Sequence, residues 1–134
     1  MPEPLPVEFI HHVSRLVRDL DRSREFYRDV LGFQPIQRPA FTFPGAWLFN
    51  YGLQIHLIQT PEPLDPPITE VGTRADHIAF RVTDIDAVER QLNERDIAFR
   101  SSTVPQTGVR QIFFLDPDGN VIECGMYPPT PDPE

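Results

Sequence analysis

The sequence predicts an α+β domain built from two tandem copies of one βαβββ module. Three observations support this class: a repeated segment, a repeated strand–helix pattern, and a repeated pair of strands near the end of each half. The segment DHIAFRVTDID (76–86) resembles HHVSRLVRDLD (11–21), and subtracting 65 pairs His77 with His12. A repeat with a fixed offset indicates duplication of a structural unit.

The first half begins with the apolar stretch VEFIHHVSRLV (7–17), which is predicted to be a strand. A helix is predicted within RDLDRSREFYRDVLGF (18–33), because its apolar residues recur close to helical spacing. Asp19 or Asp21 can cap its start, and Gly32 can end it in a left-handed conformation. Three further strands are predicted near residues 34–37, 46–51 and 53–59.

The second half repeats this order. Its predicted elements are a strand (77–82), a helix (84–96), a strand (97–101) and a hairpin (109–127) whose turn is DPDG. Gly52 and Gly119 differ by 67 in number, as do Ile55 and Ile122. The last two strands therefore repeat as well, with an insertion of two residues.

The 134 residues suit one domain. We expect a single domain with a first module at about 8–60, a Pro-rich linker at about 61–74, a second module at about 75–127, and flexible tails at 1–7 and 128–134. The 16 prolines concentrate in the tails and in this linker, which supports the division. A lone module would leave a sheet face and its edges exposed, so the two modules are expected to combine.

Charge and composition exclude several classes of partner. The net charge of −8, from 20 acidic and 12 basic residues, argues against nucleic acid and anionic membrane. No apolar run approaches the roughly 20 residues that cross a bilayer, and the start MPEPLPVEF does not resemble a signal peptide. We therefore expect a cytoplasmic protein. Cys124, in an apolar strand, is expected to be buried and structural rather than catalytic.

The repeat places four possible metal ligands in register. His12 and His77 are equivalent in the first strands, and His56 and Glu123 are equivalent in the last strands. Two-fold symmetry would bring equivalent residues together about its axis. Three imidazoles and one carboxylate suit zinc or another late first-row divalent metal, with room for water or substrate.

A lone strand histidine is more often a surface or hydrogen-bonded core residue, and His11, which has no counterpart, fits that description. His56 interrupts an apolar strand, and Glu123 stands between Ile122 and Cys124. An unpaired buried polar group costs on the order of 1–3 kcal/mol, and an unpaired carboxylate costs more. A shared cation would satisfy all these groups at once.

The motifs HHV…DLDRSREFYRDVLGF and FFLDPDGNVIE resemble the vicinal oxygen chelate superfamily, also called the glyoxalase/bleomycin resistance/dioxygenase family. The likeness spans about Glu8 to Tyr127 and extends, through GAWLFNYGLQIHLIQ, to small glyoxalase I-like proteins. It implies a curved mixed sheet that cups a metal site, with the helices on the convex face. It also implies ligand roles for His12, His56 and His77, with Glu123 as ligand and catalytic base.

The resemblance implies a metal-dependent glyoxalase-like lyase or isomerase. Its substrate would be a small molecule with vicinal oxygens, and the metal, with zinc or nickel favoured over iron, manganese or cobalt, would stabilise an enediolate-type intermediate. Glyoxalase I proper usually has Glu where His56 stands. This difference implies metal-assisted chemistry with a single carboxylate rather than lactoylglutathione formation. The resemblance further suggests a homodimer, with each site inside one chain or shared between two.

Strand alternation places Arg81 on the face of His77, where it can hold a substrate carboxylate or form a surface salt bridge. Trp47, Phe49 and Tyr51 are assigned to one face of a strand, as pocket wall or as core. Asn50 and Arg110 are further substrate-binding candidates.

Three functions are alternatives to a glyoxalase-like reaction. They are an extradiol-type dioxygenase using Fe(II), a thiol transferase or epimerase of the same superfamily, and a non-enzymatic drug-binding protein of the bleomycin-resistance kind. The last class typically lacks metal ligands, so the four candidate ligands argue against it.

Overall fold

The computed structural model describes residues 3–61 and 64–134, and the chain divides after Asp65 into two compact units. Residues 1 and 2 of the predicted tail and residues 62 and 63 of the predicted linker lie outside the described residues. The predicted α+β class with two βαβββ modules is confirmed, because each unit contains one helix and one four-stranded mixed sheet.

The first unit contains β1 (His12–Val17), α1 (Leu20–Asp29), β2 (Gln34–Ile36), β3 (Gly45–Asn50) and β4 (Leu53–Gln59). Its sheet has the strand order β1-β4-β3-β2. β1 runs parallel to β4, and the other neighbours are antiparallel. The parallel pair requires a crossover connection, and α1 provides its first part.

The second unit contains β5 (His77–Arg81), α2 (Ile85–Glu94), β6 (Phe99–Thr103), β7 (Arg110–Leu115) and β8 (Val121–Gly125). Its order, β5-β8-β7-β6, is the same as in the first unit, again with the first strand parallel to the last. The tight turn between β7 and β8 is closed by Asp116, whose carboxylate accepts from the backbone N–H groups of Asp118 and Asn120.

Both helices begin at an aspartate in the predicted position. The Asp19 carboxylate accepts from the backbone N–H of Arg22 at 3.1 Å, and the Asp84 carboxylate accepts from that of Ala87 at 3.1 Å. Each satisfies a backbone donor that has no partner within the helix. Asp19 and Asp84 are 65 residues apart, so the capping aspartates repeat with the modules.

Each sheet has one face covered by its own helix. In the first unit, Leu48, Ile55 and Leu57 are fully buried beneath α1, which contacts β3 and β4. In the second unit, Ile112, Phe114 and Ile122 are buried in the same way beneath α2. The opposite face of each sheet carries the candidate ligands.

Several predicted boundaries differ from the structure, most of all at the start of the first strand. The predicted first strand (7–17) begins only at His12, because Gln54 near the start of β4 is the partner of His12 and residues 7–11 have no strand beside them among the described residues. The predicted linker is partly packed into the second unit. Val71 is only 7% exposed and lies against Phe113 and Val121, and its carbonyl accepts from Arg100.

Candidate metal centre

The candidate ligands occupy the same register in both units. His12 pairs with Gln54, two residues before His56, across β1 and β4. In the second unit His77 pairs with Val121, two residues before Glu123, across β5 and β8. Because residues two apart on a strand share a face, each unit places its two candidate ligands diagonally on the face opposite its helix.

His77 and Glu123 face each other directly. Nε2 of His77 lies 3.3 Å from Oε1 of Glu123, and the Glu123 side chain is 8% exposed. Nδ1 of His77 lies 2.7 Å from the carbonyl oxygen of Ala75. A carbonyl only accepts, so Nδ1 carries the hydrogen. In the neutral ring, Nε2 would then turn a lone pair toward the carboxylate, and a proton or a metal ion between them would remove that repulsion.

The Glu123 carboxylate also has a partner that sequence analysis missed. The hydroxyl of Tyr127 donates a hydrogen bond to Oε2 of Glu123. Burial, together with this bond to Glu123, raises the pKa of Tyr127 to about 12. Tyr127 follows the end of β8 at Gly125, whereas the predicted hairpin (109–127) extended to Tyr127 and alternation along it would put Tyr127 on the face of Glu123. A second sequence signal was Gly125, since a glycine inside a strand often marks the close approach of another group.

His56 is held between two rings. It stacks on Trp47 with ring centroids 4.2 Å apart and on His12 with centroids 4.0 Å apart. Its Nε2 donates to the side-chain oxygen of Gln54 at 2.9 Å. Burial lowers the pKa of His56, and the nearby His12, His11 and Arg38 lower it further. The ring is therefore favoured in its neutral form, which is the form that binds a metal.

The two histidines of the first unit are close but do not converge. Their rings are nearly parallel, at 12°, so their in-plane lone pairs run side by side. Nδ1 of His12 forms a hydrogen bond with Nδ1 of His11, and the two nitrogens are 2.9 Å apart. Binding of a common ion therefore requires rotation of a ring, and His12 is the exposed one of the two. Within the described ranges, no three His, Cys, Asp or Glu side chains already form a metal cluster.

The donor types nevertheless fit a divalent metal. Nε2 of a neutral His77 and Oε1 of Glu123 could both bind one cation. Nδ1 of His77 is fixed by a backbone carbonyl, as is usual for a metal-binding imidazole. In the other unit, the lowered pKa of His56 favours the neutral ring that can bind a metal.

Arg81 lies on the face of His77, as predicted. Its Nε donates to the backbone carbonyl oxygen of Tyr127 at 2.6 Å. Trp47 and Phe49 also lie on the predicted face, because Trp47 pairs with His56 and Phe49 pairs with Gln54. Phe49 is 44% exposed and is thus available to a ligand.

The placement of Tyr51 corrects the sequence interpretation. It lies in the turn after β3 with φ of +53°, so strand alternation does not apply to it. Its hydroxyl donates to the carbonyl of Leu31 at 2.6 Å, at the end of the helix. Asn50 is likewise a structural residue, because its amide donates to the Gly32 carbonyl and accepts from the N–H of Tyr51.

Arg110 lies on the helix side of its sheet, which also differs from the prediction. Its guanidinium contacts Asp86 at 3.0 Å and Glu89 at 2.5 Å, both on α2. The hydrogen bond to Glu89 is the main reason why the pKa of Arg110 is raised. The neighbouring Gln111 occupies the Glu123 face instead, since side chains alternate along β7.

An aromatic cluster next to His56 was not predicted. The rings of Phe41 and Phe43 are stacked, with centroids 5.3 Å apart, and Phe41 lies 6.0 Å from Trp47. The guanidinium of Arg38 lies over both phenylalanine rings, at 4.7 and 4.9 Å. The segment before β3 has no helical or strand periodicity, so no sequence pattern predicts that these rings lie beside Trp47.

The sequence comparisons identify the family. Residues 9–124 match the Glyoxalase/Bleomycin resistance protein/Dioxygenase superfamily. The chain belongs to this superfamily. A relative from Arabidopsis thaliana named Glyoxylase I 4 is 42% identical over 135 residues, which cover 96% of this chain and 78% of the relative. A metallothiol transferase, FosB, from Staphylococcus saprophyticus is 28% identical over 120 residues, covering 87% of this chain and 76% of that protein.

The solved structures agree with this assignment. A glyoxalase/dioxygenase from Nostoc punctiforme superposes with a TM-score of 0.73 and 28% identity, over 96% of this chain and 97% of that one. The resemblance stated from sequence is therefore confirmed at the level of the superfamily. Members of this superfamily generally use divalent metals and are typically dimers that bind small molecules. Among the described residues, no helix is long and apolar enough to span a membrane.

Proposed function

We propose that this superfamily member is a metal-dependent lyase or isomerase of the glyoxalase type, acting on a small substrate with vicinal oxygens. The observation that carries the proposal is the facing of His77 Nε2 and Glu123 Oε1 at 3.3 Å on a nearly buried carboxylate. This pair has the register of His12 and His56 in the other unit. A cation shared by these residues explains why a carboxylate is buried there.

His12, His56, His77 and Glu123 would hold the metal, either within one chain or across a homodimer. Three neutral imidazoles and one carboxylate suit zinc or nickel. They leave one net positive charge with a divalent ion, which favours an anionic ligand. When bound, the metal would supply electrostatic stabilisation for negative charge that develops on the vicinal oxygens of the substrate.

Glu123 is the proposed proton carrier. Its carboxylate would take the proton from the hydroxyl-bearing carbon next to the substrate carbonyl and return it to the former carbonyl carbon, while the hydroxyl proton passes from one vicinal oxygen to the other. The sequence of steps is an isomerisation in which no atom is gained or lost and no oxidant is needed. Glu123 would bind the metal through Oε1 and, on partial release from the metal, would use this oxygen as the general base, while Oε2 stays hydrogen-bonded to the Tyr127 hydroxyl.

The substrate would lie against the aromatic side chains on the His56 face. Trp47 is stacked on His56, and Phe49, 44% exposed, lies two residues further along the same strand. Arg81 is the proposed contact for a substrate carboxylate, with its Nε anchored on the Tyr127 carbonyl. An anionic substrate with a small apolar group would use both features.

A second candidate is thiol transfer, favoured by the similarity to the metallothiol transferase FosB. In a thiol transfer onto an epoxide, a thiolate would form a bond to one ring carbon, the bond between that carbon and the ring oxygen would break, and the oxygen would take up a proton. Extradiol dioxygenase chemistry and drug sequestration remain the other rivals. Ring cleavage of a catechol by iron-loaded protein would support the former, and stoichiometric binding of a planar drug by metal-free protein would support the latter.

The test combines metal analysis with turnover. Elemental analysis of purified protein is expected to find a divalent transition metal, which His56→Ala should lose and His11→Ala should retain. The metal-loaded protein is then assayed against a panel of hemithioacetals and, separately, against epoxides with thiols. Absence of metal from the wild-type protein, or inactivity toward every hemithioacetal, would contradict the glyoxalase-type proposal. Activity only toward epoxides with thiols would identify the protein as a thiol transferase instead.

A further inference from the structure

We propose that Tyr127 is a positioning residue for Glu123, holding one carboxylate oxygen so that only the other faces the metal. This inference rests on the proposed metal site and adds a residue to it. Tyr127 lies beyond the last strand and is not one of the four candidate ligands. Its hydroxyl would act through Glu123 and would not touch the ion.

The two oxygens of Glu123 have different partners. Oε2 accepts a hydrogen bond from the Tyr127 hydroxyl, whereas Oε1 faces Nε2 of His77 at 3.3 Å. The residue is 6% exposed, so water does not compete freely for either oxygen. The carboxylate is therefore fixed in one orientation before any ion is bound.

The hydroxyl of Tyr127 is itself held in place. Nε2 of Gln111 lies 3.4 Å from it and can only donate, so the hydroxyl uses its own hydrogen for Glu123. The Tyr127 backbone is anchored as well, because its carbonyl accepts from Nε of Arg81 at 2.6 Å.

The ring of Tyr127 lies across Gly125, and this contact depends on the absence of a side chain there. A Cβ at position 125 would collide with the Tyr127 Cζ and would come within 2.7 Å of its hydroxyl oxygen. Gly125 is buried in β8, two residues after Glu123. The glycine therefore leaves the space that brings the hydroxyl to the carboxylate.

Hydrogen bonds to a metal-binding group orient it, and their loss typically costs about 10–100-fold in metal affinity. With Oε2 engaged by Tyr127, Glu123 would bind an ion through Oε1 alone. Without the hydroxyl the carboxylate is free to rotate and to bind through both oxygens. Tyr127 thus sets both the affinity and the number of oxygen ligands.

The test uses the full chain, freed of metal and titrated with Co²⁺ by calorimetry and visible absorption. Tyr127→Phe is expected to bind Co²⁺ about 10-fold more weakly and to change the d–d absorption spectrum, which reports the coordination number. The matched control is Tyr51→Phe. Its hydroxyl donates to the Leu31 carbonyl, so its loss should alter neither the affinity nor the spectrum.

Gly125→Ala provides a second route to the same change, because the added Cβ displaces the ring while the hydroxyl remains. It should weaken Co²⁺ binding, and the double variant with Tyr127→Phe should bind no more weakly than the weaker single variant. Wild-type protein that binds no Co²⁺ would refute the proposed function and this role with it. If both single variants bind Co²⁺ with the affinity and the spectrum of the wild-type protein, only the proposed role of Tyr127 is refuted.

Discussion

His77 and Glu123 form the one pair of candidate ligands whose atoms directly face each other, with Nε2 3.3 Å from Oε1. Nδ1 of His77 is committed to the Ala75 carbonyl. The opposite edge of the ring is therefore aimed at a carboxylate that is nearly buried. This arrangement favours a positive charge between the two side chains.

Glu123→Gln should weaken metal binding by more than the roughly 10–100-fold typical of a lost hydrogen bond to a metal ligand, because it removes the ligand's charge while nearly keeping its shape. Calorimetric titration of the metal-free protein with Zn²⁺ measures this loss. Glu94→Gln, on the exposed end of α2, is the matched control and should bind Zn²⁺ as the wild type does. Equal affinities of the Glu123 variant and the wild type would remove Glu123 from the site.

His56 should make the metal-free protein less stable in acid. Its pKa is lowered in the folded state, mainly by burial, so the unfolded chain binds a proton that the folded chain resists. The stability linked to His56 is fully present above the ordinary pKa of about 6.5 and is lost as the pH falls toward the lowered folded value. Urea unfolding at pH 7.5 and 5.5 measures this change.

The matched variant for this pH effect is His56→Gln, which keeps a polar side chain but does not titrate. The difference in the free energy of unfolding between the two pH values should be smaller in the variant than in the wild type. An equal or larger difference in the variant would show that other groups carry the acid sensitivity.

Arg110→Gln should lower stability without affecting the metal. Its guanidinium contacts Asp86 and Glu89, which are partly exposed on α2, so the loss should be about 1 kcal/mol in the free energy of unfolding. Zn²⁺ affinity should not change, because the side chain lies on the helix side of the sheet. The control Arg90→Gln, on the exposed surface of α2, should stay within about 0.5 kcal/mol of the wild type. A loss of Zn²⁺ affinity in Arg110→Gln would contradict this placement.

Cys124 should be unreactive in the folded protein. The residue is 5% exposed, and burial, with a smaller contribution from Glu123, raises the pKa of the thiol to about 11. A thiol reagent at pH 8 should therefore label the folded chain far more slowly than the chain in guanidinium chloride. Since Cys124 is the only cysteine, the total label reports this one group. Equal labelling rates in both conditions would show that the thiol is accessible.

The sequence was sufficient for features that depend on local chemistry and on the repeat. Asp19 was one of the two predicted caps of the first helix, the second helix was predicted to begin at Asp84, and β4 was predicted with its observed bounds, Leu53–Gln59. The offset of 65 between His12 and His77 also indicated equivalent positions, which the parallel pairs β1–β4 and β5–β8 display. Side chains alternate every two residues along a strand, so equivalent positions in the two units could be derived from the residue numbers.

The tertiary structure decided what lies beyond a regular strand. Tyr51 and Tyr127 were predicted inside strands but lie just beyond the ends of β3 and β8, and their hydroxyls reach the Leu31 carbonyl and the Glu123 carboxylate respectively. Arg110, a predicted substrate-binding residue, lies on the helix side of its sheet because it contacts acids of α2 that are more than 20 residues away in sequence. Contacts of this kind depend on how a helix packs on its sheet, and one-dimensional spacing does not contain that information.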